Sequence, residues 1–121
     1  MEHQQDTESR KMRYLGNALS LGMLGEVPEG QTVQIEVSSM TIPEVVAWME
    51  QESYVVTVGH TDTAQLFTAL LGRSVLAQRT SVTLKRGDEM VVGQYIGSRL
   101  PEGATSLPEG AKIAWMHALI R

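Results

Sequence analysis

The chain has no cysteine. That excludes a disulfide framework, a thiol nucleophile and a zinc–thiolate site, and it fits a reducing, cytoplasmic setting. Histidine is scarce as well. His3, His60 and His117 stand far apart, and no His-x-x-His or carboxylate-rich spacing accompanies them, so no metal site is expected. A Walker loop, a Rossmann glycine fingerprint and a G-x-S-x-G elbow are all missing. A Ser–His–Asp hydrolase assembled from Ser20, His60 and an acid would therefore have nothing to present its serine. No apolar run approaches the length of a membrane span, and no stretch reads as a secretory leader. Positive charge is in short supply: the formal net charge is -4. Sequence-blind binding to long nucleic acids needs a basic face, so it is not expected. A small anion held in a local basic pocket is compatible with that balance.

What is present is enough for one domain. At 121 residues, 42% hydrophobic and 20% charged, the chain can bury a single core. Residues 1–11 are polar, mixed in charge and without periodicity, and read as a disordered N-terminal arm. The folded domain is expected over 12–121. Met12 to Leu15 opens a first strand that breaks at Gly16–Asn17, and Ser20 stands as N-cap before a single turn, LGML. Val33, Ile35 and Val37 alternate with polar residues, the pattern of a strand with one wet face. Thr41-Ile42-Pro43-Glu44 has the form of a capping box, and Ile42, Val45, Val46 and Met49 make an apolar stripe, predicting a helix from Thr41 to Gln51. Ser81 to Leu84 reads as a short strand closed by a Lys85–Asp88 turn. Met90 to Ser98 alternates again, with Val91, Gly93, Tyr95 and Gly97 on one face. Two glycines there suggest close approach by another backbone or a ligand. Lys112 to Ile120 is the last strand. Strands interleaved with two helices predict an α/β class: a mixed β-sheet with flanking helices in a single small domain.

One stretch carries the chemical interest. Tyr54 to Val58 is a β-rich apolar run, Gly59 ends it and His60 follows. Thr61, Asp62 and Thr63 then offer N-cap candidates for a helix whose Leu66, Phe67, Leu70 and Leu71 share a face and whose end is marked by Gly72. A strand thus hands a histidine to the mouth of a helix. Helix N-termini carry unpaired N–H groups and about half a positive charge, so they accept anions. Downstream, Arg99 and Glu102 follow a strand directly, a cation three residues before a carboxylate. These parts suit metal-free cleavage of RNA, which supplies its own 2′-hydroxyl nucleophile. The protein must align that group, stabilise charge on phosphorus and protonate the leaving oxygen.

Four segments in register, YLGNALSLGML (Tyr14 to Leu24), VGHTDTAQLFTALLG (Val58 to Gly72), AQRTSVTLKRGDE (Ala77 to Glu89) and SRLPEG (Ser98 to Gly103), resemble the viral ring-nuclease family. That family includes type III anti-CRISPR proteins and related host enzymes. The resemblance implies a homodimer that opens cyclic oligoadenylate messengers, chiefly cyclic tetra-adenylate, without a metal or other cofactor. Linear products would end in a 2′,3′-cyclic phosphate. It implies His60 as general acid, Arg99 and Glu102 at the catalytic site, and Ser20 and Arg79 as ligand contacts. Asn17, Thr61, Asp62 and Thr63 belong to the same ligand-binding segments. Glu102 is expected to orient His60 and favour its protonated form. The expected setting is the cytoplasm, that of the host cell if the protein is virus-encoded. The chain departs from the family's pattern at Gly22, where an asparagine is usual, and in the short, Pro/Gly-rich 104–110 loop, where relatives carry a helix. The competing expectation is a non-catalytic binder of cyclic nucleotides, or a protein-interaction module, on the same fold.

Overall fold

The computed structural model describes residues 11–121. Most of the expected N-terminal arm, with His3, lies outside them. The elements are β1 (Arg13–Gly16), a 3-10 turn (Leu21–Leu24), β2 (Ile35–Ser39), α1 (Ile42–Gln51), β3 (Val55–Val56), α2 (Thr61–Leu71), β4 (Glu89–Ile96) and β5 (Lys112–Ile120). They build one five-stranded sheet in the order β2-β5-β4-β1-β3. β1 pairs in parallel with both β3 and β4, while β5 pairs antiparallel with β4 and β2. The expected mixed α/β architecture is therefore present. All four residues of β1 are buried, as its position inside the sheet requires.

Helix α1 starts where its local chemistry dictates. Thr41 Oγ1 accepts from the Glu44 amide at 3.2 Å, and Glu44 Oε1 accepts from the Thr41 amide at 2.8 Å. The capping box satisfies two otherwise orphaned donors, with Pro43 in the first turn where no amide is needed. Thr41→Ala should cost about 1 kcal/mol, read as a lower midpoint in urea unfolding with an unchanged slope.

The two faces of the sheet are covered differently. On one, Val45, Trp48 and Met49 of α1 and Ala64, Phe67 and Leu71 of α2 pack on Leu15, Val91 and Trp115. On the other, Tyr14, Met90, Val92 and Ile120 lie under Leu84 and the partly buried Leu19, Met23 and Leu24. Ser81 to Leu84, expected as a strand, is not one. The Leu84 amide bonds the Met23 carbonyl of the 3-10 turn at 2.7 Å, so this segment lies across the second face instead of joining the ladder. Its alternation reflects that packing.

The glycines of β4 behave differently from each other. A Cβ on Gly93 would fall 2.5 Å from Trp115 Cζ3 and 2.7 Å from Phe67 Cζ. Aromatic side chains occupy that space, not the backbone or ligand expected. Gly97, with φ +152°, meets Ala111, its Cβ position lying 2.6 Å from Ala111 Cβ and 2.9 Å from the backbone at Ala111 Cα.

Candidate functional site

The ends of β1 and β3 and the start of α2 converge. Gly16 allows the approach, because a Cβ there would meet Thr57 Oγ1 and Met90 Cε, each at 2.5 Å. The Thr57 amide bonds the Leu15 carbonyl at 2.8 Å, continuing the β1–β3 pairing to the point where both strands end. Asn17 follows β1 and Gly59–His60 follow β3. In open α/β sheets, ligand crevices form at such carboxyl ends of parallel strands.

His60 is the N-cap residue of α2, with extended backbone (φ -113°, ψ 132°) and an exposed side chain. Its carbonyl accepts the first helical bond, from Ala64 at 3.0 Å, but its ring makes no cap hydrogen bond. The ring is exposed at the mouth of the helix it introduces. The first amides of the helix, over Thr61 to Thr63, have no partner within it. At the far end Gly72 adopts the left-handed conformation (φ 68°) and its amide bonds Thr68 O, the expected C-cap.

Arg79 reaches this junction from a distant segment. The Gln78 amide bonds Val58 O at 2.7 Å and Thr80 Oγ1 donates to Val56 O at 3.3 Å, so residues 78–80 run back along β3. A Cβ on Gly59 would lie 3.4 Å from Arg79 Cγ. The arginine stem thus packs against the residue preceding His60.

Two openings flank the start of α2. A polar one of about 460 Å³ is lined by Asp62, Arg99, Leu100, Pro101 and Glu102. A mainly apolar one of about 540 Å³ takes Asn17, Ala18 and Leu19 from the β1 end and Thr63 and Leu66 from α2. Gln94 and Tyr95 of β4, with Ile113 and Met116 of β5, close it from the sheet side. Leu100 borders both. Of the residues singled out in the sequence, Asp62, Arg99 and Glu102 meet in the first opening and Asn17 and Thr63 in the second. His60, Thr61 and Arg79 stand at the strand–helix junction between β3 and α2. Ser20 lines neither opening. It is the exposed N-cap residue of the 3-10 turn, without a side-chain cap bond. A Cβ on Gly22 would lie 3.7 Å from Ser20 Oγ, so an asparagine at that position would adjoin this hydroxyl.

The apolar opening is not legible in the sequence, since its lining comes from six separate stretches of chain, Val37 of β2 among them. In the sequence Tyr95 reads only as one residue of a strand face. Its hydroxyl donates to the Ser98 carbonyl at 2.6 Å, tying the loop that carries Arg99 and Glu102 back to β4. Tyr95→Phe should cost about 1 kcal/mol and speed backbone exchange across 98–104, a local change that hydrogen-exchange mass spectrometry resolves. Among the described residues, no cluster of three His, Cys, Asp or Glu side chains is placed to hold a metal ion. No helix there is long and apolar enough to cross a membrane.

Comparison with known proteins gives this arrangement a family. The STIV B116-like family model matches residues 13–113, which takes in every element up to the first two residues of β5. The chain belongs to the STIV B116-like family. A solved structure, B116 of Sulfolobus turreted icosahedral virus, superimposes with a TM-score of 0.70 at 25% sequence identity. The match covers 89% of this chain and 98% of that one. No curated protein matches the chain. The residues matched by the family model thus include β1 to β4, both helices and the β4–β5 loop that carries Arg99 and Glu102.

Proposed function

We propose that this B116-like protein is a metal-independent ring nuclease acting on cyclic oligoadenylate, with cyclic tetra-adenylate as the favoured substrate. The observation that carries the reading is the juxtaposition at the start of α2. An exposed histidine caps the helix, an arginine stem packs on the glycine before it, and Asp62 of the first turn lines the Arg99 opening. The sequence resemblance to viral ring nucleases supplies the substrate class. A phosphate seated on the free amides of the helix would meet partial positive charge. The adjoining apolar opening offers a nucleobase a surface to bury, with Asn17 and Gln94 amides at its edge.

In the proposed reaction the substrate's 2′-hydroxyl oxygen attacks phosphorus and the P–O5′ bond breaks. His60 protonates the departing oxygen, and Arg99, with Arg79, steadies the charge that builds on the phosphate. The product is linear, with a 2′,3′-cyclic phosphate at one end and a 5′-hydroxyl at the other. A homodimer suits a cyclic ligand, because a two-fold cavity doubles the cationic groups without making the chain basic. The apolar side chain of Val37, 57% exposed on edge strand β2, is a feature such a contact would cover.

The test is incubation of the purified protein with cyclic tri-, tetra- and hexa-adenylate in EDTA, with chromatographic identification of products. Linear product from the tetra-adenylate ring is the expected result, and no turnover of any ring would overturn the reading. A non-catalytic binder is the second reading, favoured by the absence of a cap hydrogen bond fixing the His60 ring. Recovery of intact ring together with a ligand-dependent thermal shift would establish it.

A further inference from the structure

Resting on that reading, we infer that Asp62 is the general base of the reaction, taking the proton of the attacking 2′-hydroxyl while His60 serves the leaving group. In-line displacement sets the geometric demand. The entering and departing oxygens stand on opposite sides of phosphorus, so one residue cannot serve both. His60 is the N-cap of α2 and Asp62 lies in its first turn, two residues on. Asp62 lines the polar opening with Arg99 and Glu102, whereas His60, on extended backbone, does not line it. A phosphate held on the helix axis by the first amides would therefore have the imidazole on one flank and the carboxylate on the other.

The surroundings of Asp62 fit this role better than that of a dipole-complementing surface acid. Its side chain is half-buried and lines the polar opening together with Arg99 and Glu102. Two carboxylates are out of place in a pocket that only has to bind an anion. One of them, fixed on a helix and sharing the opening with the Arg99 side chain, has a use as proton acceptor. Glu102 is the weaker candidate, because it sits on an exposed turn of the long β4–β5 loop, and a base must be held within a fraction of an ångström. The charged groups that share the opening with Asp62 are Arg99 and Glu102 from the loop, while His60 lies two residues before it and Arg79 packs beside Gly59.

The step balances without a co-reactant. The 2′-hydroxyl proton passes to an Asp62 carboxylate oxygen, the O2′–P bond forms, and the P–O5′ bond breaks. The leaving O5′ then takes the proton carried by His60. Asp62 ends protonated and His60 neutral, and exchange with solvent restores both.

The experiment compares wild type, Asp62→Asn, Asp62→Glu, Glu102→Gln and His60→Ala on cyclic tetra-adenylate in EDTA across the pH range. The same set is run on a ring with one 5′-bridging sulfur, a leaving group that needs no proton. Asp62→Asn should slow cleavage by about 100- to 10,000-fold, lose the acid limb of the pH–rate profile, and gain nothing from sulfur. His60→Ala should recover on the sulfur ring. Asp62→Glu should regain part of the rate together with the acid limb, showing that the loss in Asp62→Asn is not a folding defect. An Asp62→Asn protein that cleaves at the wild-type rate, or keeps the acid limb, overturns the assignment and leaves the ring-nuclease reading standing. If Glu102→Gln alone loses the limb, the base is Glu102. A wild-type protein that opens no ring overturns both.

Discussion

His60→Ala is expected to slow the opening of cyclic tetra-adenylate by about 100- to 10,000-fold while leaving its affinity nearly unchanged. The separation of the two effects follows from where the residue sits. His60 contributes its carbonyl to the first helical bond and its extended backbone to the entry of α2, and alanine supplies both. Its exposed ring makes no cap hydrogen bond, so its removal takes no stabilising contact from the helix. The free amides at Thr61 to Thr63 and the Arg99 opening survive, and these are the parts proposed to hold the phosphate. An effect confined to the transition state lowers the maximal rate and kcat/KM together, while loss of ground-state binding raises KM. The check is a single-turnover rate beside a binding isotherm measured on the uncleaved ring. Unchanged turnover would remove His60 from the chemistry.

The contrast between what was legible in the sequence and what was not is one of distance along the chain. The capping box of Thr41 and Glu44 and the glycine C-cap at Gly72 are each encoded within a few residues, and the structure has them as read. The strand–histidine–helix order is present too, but β3 is only Val55–Val56, and His60 itself, not Thr61, Asp62 or Thr63, is the N-cap. Ser81 to Leu84 shows why alternation alone is insufficient. A half-buried segment crossing a sheet face has the same pattern as a strand within it, and only the partner of the Leu84 amide tells them apart. Gly93 makes the same point. Nothing near it in sequence announces that Phe67 and Trp115 fill the missing side chain's volume. The candidate site is intermediate. Asp62 and Arg99 could each be singled out, but their shared opening depends on the course of the β4–β5 loop, which Tyr95 and Gly97 fix through contacts with Ser98 and Ala111.

The second large effect concerns stability. Arg13→Met should destabilise the fold by about 3–5 kcal/mol, because the guanidinium closes the C-terminal end of α1. It donates to the carbonyls of Trp48 and Glu52, each at 2.6 Å, and to Ser53 at 3.4 Å. It also lies 3.9 Å above the Trp48 ring and pairs with Glu89 at 3.6 Å. Its side chain is only 6% exposed. Methionine keeps the apolar stem but leaves helix carbonyls and a carboxylate without their donor. Glu89 in turn accepts from Trp48 Nε1 at 2.9 Å and from His117 Nε2 at 2.6 Å. Burial pushes the Glu89 carboxyl up, but the hydrogen bonds from His117 and Trp48 and the charges of His117 and Arg13 outweigh it and hold the group below its ordinary value of 4.5. A carboxyl whose pKa is depressed by folding adds stability above its unfolded value, and that stability disappears as pH falls through the folded one. Wild-type stability should therefore drop as the pH is lowered below about 4.5, with a smaller drop in Glu89→Gln, as urea unfolding at stepped pH would show. Arg13 and Glu89 begin β1 and β4, whereas Asn17 and His60 lie beyond the ends of β1 and β3. Ligand affinity of Arg13→Met, measured well below its melting temperature, should accordingly match wild type. A parallel loss of affinity would mean that the docking of α1 reaches α2 and the residues at its mouth.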